Sequence, residues 1–369
     1  MRSSHTGTIL AILLLAAPLI GCHPPPARQA DFTVGTTSAN LTVGTTPSDL
    51  LANALPPTRR ILENIASTFD PANRSSEIGK VNRMAGEYRL HISFDTFRAL
   101  DLADYYGKLT GGAYTLTTAA LRDLWGFTTK PPDELPSDDI IAAVRNLCSP
   151  EFVKLSEQGA ISILTPGTRI APGKLAQAYG TDLAILELRR RELGPVLLTW
   201  GNFSRALSAP DENFSCQVAI PNPRSNTNAL GALDLAPNAA LAIANLYEET
   251  VTIAGQRFGG IIDPHTGRPA RGALLAAVRG PTCTMAHALA QALVVLGPEK
   301  GAALFENFPD CEALIIPDTN PLELWMTPGF ADHFQRNSAA NATPKEWTVS
   351  RPAPENQDDA PTAAEPGDA

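Results

Sequence analysis

The sequence is poor in charge, and the charge that it carries is mostly acidic. Only 18% of its residues are charged, and 38 acidic against 29 basic side chains give a net charge of −9. A chain with this balance lacks the basic surface that binds nucleic acid, so we expect no nucleic-acid partner. Over 369 residues, a hydrophobic share of 44% is typical of a globular protein with a sizeable core rather than of a disordered chain.

Cysteine is also scarce. There are five cysteines, and none has the Cys-x-x-Cys spacing of a zinc site, so we expect no zinc. Apart from Cys22, which is treated next, they are Cys148, Cys216, Cys283 and Cys311. An even number permits two disulfides in an oxidising compartment, with three pairings between which the sequence does not choose.

A short apolar segment near the N-terminus predicts export. Arg2 precedes the run Ile9 to Ile20, which is too short to span a membrane and is typical of a secretory signal. Gly21-Cys22 resembles a bacterial lipobox, in which the cysteine becomes the lipidated first residue; a plain signal peptide with a coincidental cysteine is the alternative. We therefore expect a signal peptide over 1–21, lipidation at Cys22, and a location in the bacterial cell envelope, on the periplasmic side or the cell surface.

Composition predicts one folded domain between two flexible ends. Residues 22–56 are rich in Pro, Thr and Ser, which favours a flexible stalk, and residues 336–369 are rich in Ala, Pro, Asp and Glu, which favours a disordered tail. Between them, over 57–335, strand-like and helical patterns alternate without an internal repeat. The expected fold class is α+β, a single layered domain.

Several elements of this domain are predicted by their periodicity. Helices are expected around Ile61 to Phe69, after a cap at Asp95 or Thr96, over Lys174 to Leu193, and over Thr284 to Gly297. A half-buried strand is expected over Tyr88 to Phe94 and fully buried strands over Val196 to Trp200 and Leu274 to Val278.

The most informative stretch is Phe258 to Pro269, FGGIIDPHTGRP. Apolar residues run into Asp263-Pro264, which predicts a buried strand that ends in a tight turn. Asp263 is expected to accept hydrogen bonds from the backbone of the turn, and Gly267 to adopt a positive φ or to allow close approach of a ligand. By itself the pattern is that of an ordinary Asx-type turn.

With three further segments, this stretch resembles the FAD:protein FMN transferases, the ApbE family. That family has the signature His-Ile-x-Asp-Pro-x-Thr-Gly, of which Asp263, Thr266 and Gly267 are kept. The chain also carries Thr110 to Thr117 followed by Trp125-Gly126-Phe127, then Ser76-Glu77 with Asn82, and Tyr179 with Asp182. The resemblance covers roughly residues 57–330.

The resemblance implies the family's fold and activity: transfer of FMN from FAD to a Thr or Ser of a target flavoprotein, with magnesium. FAD and magnesium would be the cofactors, and a flavoprotein or another envelope protein the partner. It implies cofactor-binding positions at Ser76, Glu77, Asn82, Tyr114, Thr117, Tyr179, Asp182, Gly201, Thr266 and Gly267. Asp263 and His287 are the candidate catalytic residues, and Ala176, His287 and Gln291 are the family's metal positions. Trp125 is expected either to line the flavin or to belong to the core.

Several charged positions of the family are substituted here. The first His of its signature is Gly260, an Asp is Ala171, a Lys is Gln177, and the Asp and Thr that bind magnesium are His287 and Gln291. Since His287 and Gln291 lie four residues apart, we expect them on one helix face, away from the core stripe of Met285, Leu289, Leu293 and Leu296. Imidazole and a neutral amide are poor ligands for magnesium.

Three hypotheses follow. The chain is a flavin transferase of weak activity, or a pseudoenzyme that binds flavin, another ligand or a partner protein, or a purely structural surface lipoprotein.

Overall fold

The computed structural model describes residues 28–44, 47–208, 214 and 216–349. Eight α-helices lie in these ranges: α1 Leu50–Thr68, α2 Glu77–Arg83, α3 Phe94–Leu109, α4 Ala119–Leu124, α5 Asp138–Arg145, α6 Lys174–Arg190, α7 Cys283–Phe305 and α8 Pro328–Ala331. Short 3₁₀ turns follow α5 at Asn146–Cys148 and Pro150–Phe152.

The strands of the described ranges are β1 Arg28–Val34, β2 Thr37–Val43, β3 Leu90–His91, β4 Val153–Ser156, β5 Ala160–Ile163, β6 Val196–Trp200, β7 Phe203–Leu207, β8 Gln217–Asn222, β9 Ser225–Asp234, β10 Ala240–Asn245, β11 Thr250–Ile253, β12 Gln256–Gly259, β13 Ile262–Asp263, β14 Arg268–Pro269, β15 Leu275–Gly280, β16 Glu312–Ile316, β17 Leu322–Met326, β18 Phe334–Arg336 and β19 Ala342–Glu346. The main sheet has nine strands in the order β1-β2-β6-β7-β10-β15-β16-β17-β19. Its neighbours are antiparallel except for the parallel pair β17 and β19.

The main sheet is covered on both faces, as the alternation within its strands requires. On one face, Ala240, Ala242 and Ala244 of β10 belong to the core that contains α7 and α6. On the other face, Leu241 and Ile243 belong to a core shared with β8 and β9 of the three-stranded sheet β18-β9-β8. The α+β fold class predicted from the sequence is therefore confirmed, and the layers are helices, main sheet and small sheet.

The predicted stalk over 22–56 is wrong from residue 28 onward. β1 and β2 form a hairpin at the edge of the main sheet, where β2 pairs with β6, and α1 begins at Leu50. The prediction missed α1's first turns because Pro56 and Pro57 lie inside the helix, where proline ordinarily disfavours helix. Leu50, Ala54 and Leu62 are buried against α6 and β6, so tertiary packing overrides local propensity. Cys22 and the predicted signal peptide lie outside the described residues.

The predicted tail over 336–369 also begins too early. β19 adds to the main sheet beside β17. Trp347 is buried against Phe305, and its indole nitrogen donates to the carbonyl of Pro298 at 3.0 Å. The fold therefore extends at least to this tryptophan, and residues 350–369 lie outside the described part.

The predicted strand over Tyr88 to Phe94 is mostly wrong. Only Leu90–His91 pair as a strand, Tyr88 and Phe94 are 69% and 70% exposed, and Phe94 begins α3. The Ser93 hydroxyl accepts from the Thr96 amide and caps the helix, so the cap is neither Asp95 nor Thr96. A serine cap accepts a hydrogen bond from an otherwise free N–H of the first turn. The helix therefore begins at Phe94, and the strand ends before it.

The cysteine thiols form no disulfide among the described residues. Cys148, Cys216, Cys283 and Cys311 are all buried. Burial is the main reason that the pKa of the Cys148, Cys216 and Cys283 thiols is raised, which keeps them protonated and unreactive.

Helix α7 is mostly apolar, with the charged pair Glu299 and Lys300 near its C-terminal end. By length and hydropathy it could span a membrane, yet most of its residues are buried inside the fold, as in the core helix of a globular protein. At Gly297 the backbone leaves the helical region, with φ 72° and ψ −179°, and Pro298 follows. The helix predicted to end at Gly297 is thus followed by a second, kinked segment.

Candidate functional site

The Asp263 turn is built as its sequence predicts. β13 and β14 pair through Asp263 and Arg268, and the residues between them form the turn. The Asp263 carboxylate accepts from the His265 amide at 2.9 Å and from the Thr266 hydroxyl at 3.0 Å. Gly267 has a φ of +70°, and a Cβ there would lie 2.8 Å from Ile141, so only glycine fits this position.

His265 is a residue of this turn that sequence reasoning did not single out. Its Nδ1 lies 3.1 Å from Asp263 Oδ1, and its Nε2 lies 2.9 Å from the carbonyl of Gly111. Both neighbours are acceptors, so both contacts are hydrogen bonds only when both ring nitrogens carry a proton. The signal was available in the sequence, since a histidine two residues after an aspartate in a tight turn can fold back onto that carboxylate.

The segment after α3 lines a cavity of about 540 Å³ between α3 and β4. Its lining includes Gly111, Gly112, Tyr114 and Thr117, together with apolar side chains of Leu100, Leu116, Val153, Leu155 and Ile170. The hydroxyl of Tyr114 is buried and has no hydrogen-bond partner among the residues that the structure describes. Burial raises the pKa of Tyr114 above its usual range, so this hydroxyl stays protonated and can donate to a ligand.

Asn82 positions one wall of this cavity. Its side-chain amide donates to the Ile170 carbonyl and accepts from the Ile170 amide, both at 2.8 Å. A single side chain thus fixes the backbone immediately before the turn that leads into α6. Asn82 acts on the cavity through Ile170.

The side chains of Ser76, Glu77 and Tyr179 make contacts within the protein. The Ser76 hydroxyl caps α2 by accepting from the Gly79 amide at 2.9 Å, and Glu77 accepts from the Ser93 hydroxyl at 2.9 Å. The Tyr179 hydroxyl lies 3.5 Å from Asp95. Burial raises the pKa of that aspartate, against the lowering effect of Tyr179.

Thr117 and Trp125 are tied into the protein rather than free to meet a ligand. The Thr117 hydroxyl lies 3.0 Å from the Thr115 hydroxyl and donates to the Cys148 carbonyl. Trp125 is 1% exposed, packs on Phe258 with ring centroids 5.2 Å apart, and donates to the Gly267 carbonyl at 2.9 Å. Of the two alternatives for Trp125, the structure favours the core, where it supports the Asp263 turn.

His287 is buried, which the predicted helix face did not anticipate. It is 6% exposed and lies between the rings of Tyr114 and Phe203, with centroids 5.6 and 5.4 Å away. The reason is that α6, which also packs on β6 and β7, lies beside α7, and α3 packs on α7 as well, so the helix has no free face here. Burial, and in second place the charge of Lys174, lower the pKa of His287 to about 3, which keeps the imidazole neutral.

The positions of the family's metal do not offer a magnesium site. Ala176 provides no side-chain ligand, His287 is a neutral imidazole between two rings, and Gln291 is a neutral amide. Within the described part of the chain no cluster of three or more His, Cys, Asp or Glu side chains exists that could hold a metal ion. Magnesium prefers several hard oxygen ligands in octahedral geometry, and this donor set does not fit it.

A second polar cluster lies around Gly201, which has a φ of +60°. Asn202 donates to the Glu248 carboxylate at 2.6 Å, and Lys174, the first residue of α6, forms an ion pair with the same carboxylate. Gln177, where the family has lysine, donates instead to the Thr37 hydroxyl of β2 at 3.1 Å. A residue of the presumed stalk thus supports the site, and Lys174 and Glu248 are polar residues that sequence reasoning missed.

The next acidic residue, Glu249, links the same segment to α4. It forms an ion pair with Arg122 at 2.6 Å, and Arg122 also donates to the carbonyl of Gly260. A Cβ at Gly260 would lie 3.0 Å from the Glu249 side chain. The space beside position 260 is therefore partly filled by Glu249.

Asp182 lies away from the cavity, at the N-terminus of α7. Its carboxylate accepts from the Cys283 and Thr284 amides, both at 2.9 Å, and from Arg205 at 2.7 Å. All its hydrogen bonds are internal, so the structure gives it a positioning role for α7 and leaves no lone pair directed at a ligand.

Comparison with known proteins identifies the family of the chain. Residues 36–315 match the model of the ApbE family. The FAD:protein FMN transferase of Vibrio cholerae is 27% identical over 302 residues, which cover 80% of this chain and 89% of that protein. The FAD:protein FMN transferase of Treponema pallidum is 26% identical over 268 residues, covering 67% and 73% of the two chains.

Solved structures share the fold. The flavin transferase ApbE of Vibrio cholerae superposes with a TM-score of 0.69 at 22% identity, covering 84% of this chain and all of that one. The ApbE protein of Thermotoga maritima gives a TM-score of 0.72 at 21% identity, again covering 84% of this chain and all of that one. At this level of identity the likeness concerns the fold.

Proposed function

The chain belongs to the ApbE family, and from this premise we propose that it binds FAD and transfers its FMN part, slowly, to a Thr or Ser hydroxyl of a target flavoprotein. In this reaction the acceptor oxygen attacks the phosphorus of the FMN half, the P–O–P bond breaks, AMP leaves, and the acceptor's proton is released. The curated relatives with which it aligns carry this activity in their names.

One observation carries the proposal: residues of the segment 111–117 line the cavity and also contact the other motif segments. Gly111 of this segment contacts His265 of the Asp263 turn, and Tyr114 contacts His287 of α7. Ile170, held by Asn82, closes the same cavity. Segments that are far apart in sequence therefore meet at one place, which supports a single ligand site.

The cavity suits part of a flavin nucleotide. Its lining combines apolar side chains, which favour a flat aromatic ring, with the charged residues Asp101, Asp104, Lys108, Glu151 and Lys154, and the Tyr114 hydroxyl offers one hydrogen bond to a polar edge. An unsatisfied buried hydroxyl is costly, so a ligand that accepts a hydrogen bond from it would be favoured.

The residues that would promote the chemistry are poorly suited to it, which is why we propose a slow reaction. His287 is neutral and buried, with a pKa near 3, and is a poor general base at neutral pH. Asp263 is occupied by the turn and by His265. The magnesium donor set does not fit, so no step of the proposed reaction depends on a metal held by the protein.

The same substitutions favour a second candidate function, binding of a flavin nucleotide without transfer. One experiment separates the two. The protein is incubated with FAD and a flavoprotein domain that carries an acceptor threonine, and the acceptor is then denatured and examined for covalent flavin fluorescence and for the mass of FMN less water. Slow labelling with release of AMP supports the transferase. Binding of FAD without labelling supports the second candidate, and no binding contradicts both.

We also propose that the protein acts in the cell envelope, anchored by a lipid at Cys22, and that its acceptor is an envelope protein. The support is the sequence Gly21-Cys22 after a short apolar run. Mass spectrometry of the protein from the membrane fraction tests this: the expected N-terminus is a lipidated Cys22. An intact Met1 or a cleavage site beyond Cys22 would contradict it.

A further inference from the structure

We propose that His265 is a positioning residue: its protonated ring joins the Asp263 turn to Gly111 and Gly112 and so holds this wall of the cavity in place for a ligand. The inference rests on the proposed function, in that the ligand is a flavin. It concerns a position that the family signature leaves open, because His265 stands at the variable residue between Asp-Pro and Thr-Gly.

The wall formed by Gly111 and Gly112 has little packing of its own. Both glycines line the cavity, and both have a positive φ, +60° and +83°. Among the described residues, no atom lies within 4 Å of the place that a Cβ on Gly111 would take. Since glycine has the widest choice of backbone conformations, two in a row need an outside contact to keep one conformation.

The ring of His265 supplies that contact. Its Nε2 lies 2.9 Å from the carbonyl of Gly111, and a Cβ on Gly112 would lie 3.6 Å from the same nitrogen. Within the described ranges, the structure shows no other donor to the Gly111 carbonyl. His265 is outside the cavity lining, so it acts on a ligand through the two glycines.

The turn that carries His265 is firmly held. Asp263 accepts from the His265 amide at 2.9 Å, and its Oδ1 lies 3.1 Å from the ring Nδ1. Arg145 of α5 donates to the His265 carbonyl at 2.6 Å, and Trp125 donates to the Gly267 carbonyl at 2.9 Å. A fixed turn thus lies at one end of the ring and a flexible pair of glycines at the other.

The contact depends on which ring nitrogens carry a proton. The imidazolium donates from both, to the carboxylate and to the carbonyl. In the neutral ring one proton remains, and it stays on Nδ1, because a hydrogen bond to a carboxylate is roughly twice as strong as one to a neutral carbonyl. Nε2 then presents a lone pair to the Gly111 carbonyl, and the wall loses its contact.

Two charged groups face His265 from different elements. The Asp263 carboxylate of β13 contacts the ring, whereas Arg145 of α5 binds the backbone carbonyl. The next charges along the two segments are paired with each other: Lys108 with Asp104, and Arg268 with Asp138. The carboxylate of Asp263 is therefore the charged group that decides which ring nitrogen keeps its proton.

The test is a titration of the full chain with FAD and with riboflavin, followed by flavin fluorescence. It is made at about pH 5.5 and about pH 8.5, a range that contains the ordinary charge change of a histidine. The matched variants are His265→Gln and His265→Asn. The glutamine amide takes the place of Nε2 and donates to the Gly111 carbonyl at either pH, whereas the shorter asparagine reaches only as far as Nδ1.

At the lower pH, His265→Asn should bind both flavins about two- to tenfold more weakly than the wild type, the net contribution of one hydrogen bond. His265→Gln should bind them as tightly as the wild type. At the higher pH, the wild type should weaken towards His265→Asn, and His265→Gln should not change. His91→Gln, in the short strand β3, is the control and should keep the wild-type pH profile.

Two results would overturn the inference: flavin affinity that His265→Asn leaves intact at both pH values, or a wild-type pH dependence that His265→Gln retains. Unfolding curves verify that both variants are folded. If flavin binds as expected but no acceptor is labelled, the positioning role stands and the transferase does not.

If neither flavin binds, the proposed function fails, and amide hydrogen exchange over residues 108–115 tests His265 by itself. Exchange at the lower pH should be faster in His265→Asn than in the wild type and His265→Gln. Equal exchange in all three would overturn the positioning role.

Discussion

Asp182 and Arg205 form an ion pair at 2.7 Å in which both side chains are less than a tenth exposed. The same carboxylate holds the first amides of α7, so one aspartate joins β7, α6 and the helix that carries His287.

Replacing Asp182 by Asn should therefore be strongly destabilising. The amide keeps the shape of the side chain but leaves the buried guanidinium without a counter-charge, which costs about 3–5 kcal/mol. Urea unfolding measures this loss. Asp101→Asn is the control, because its pair with Arg98 is well exposed and is worth about 0–1 kcal/mol. Equal losses in the two variants would contradict a buried pair.

His287 should make stability depend on pH. Its pKa is about 3 in the fold, against 6.5 for an unperturbed histidine. Between these values the unfolded chain binds a proton that the folded chain refuses, so this contribution is fully present above pH 6.5 and is lost as the pH falls towards 3. Over this range, the contribution of His287 changes the free energy of unfolding by about 1.4 kcal/mol per pH unit.

The measurement is the free energy of unfolding between pH 5 and 7 for the wild type and for His287→Leu. The wild type should lose more stability than the variant as the pH falls through about 6, which lies below the unperturbed histidine pKa. His91→Gln, at an exposed strand residue, should keep the wild-type slope. Parallel slopes in wild type and His287→Leu would show that His287 titrates normally.

Asp263 should stabilise its turn whether or not the protein is active. Asp263→Ala removes the acceptor of the His265 amide and the Thr266 hydroxyl and is expected to cost about 1–3 kcal/mol. Denaturant unfolding tests this. His265→Ala is the matched control, since it removes the ring contacts and leaves the turn's own hydrogen bonds. No change in Asp263→Ala would mean that the carboxylate does not support the turn.

A metal site should be restorable at α7. His287→Asp together with Gln291→Thr introduces a carboxylate and a hydroxyl, which are hard oxygen ligands. FAD binding by this double variant should become stronger in magnesium than in EDTA, as measured by flavin fluorescence. His287→Asn with Gln291→Thr has nearly the same shape without the charge and should show no such difference. If magnesium does not change FAD binding by the double variant, the metal positions lie elsewhere.

The sequence predicts those parts of the fold whose structure depends on local signals. The Asp263 turn follows from Asp-Pro and Thr-Gly, and its aspartate and glycine do what those residue types do in turns. The long helices and buried strands follow from periodicity. Fold class and family follow from motifs spread along the chain.

What the sequence does not predict depends on contacts between distant segments. The strands β1 and β2 lie in a polar, threonine-rich stretch and form because β6 offers them an edge. His287 is buried because α3 and α6 cover α7, which helical periodicity alone does not reveal. The pairs of Lys174 with Glu248 and of His265 with Gly111 join residues more than seventy positions apart, and no spacing rule connects them.

The central claim is that this chain is a slow flavin transferase whose charge neutralisation does not depend on a metal bound by the protein. The most direct measurement is the initial rate of FMN transfer from FAD to one acceptor domain, with magnesium and with EDTA, for this protein and for the Vibrio cholerae relative. In magnesium, we expect this protein to label the acceptor more slowly than the relative does. In EDTA, we expect this protein to label the acceptor at nearly the rate that it shows in magnesium. Fast transfer that EDTA abolishes and that His287→Ala also abolishes would contradict the account, because it would show that His287 belongs to a working metal centre.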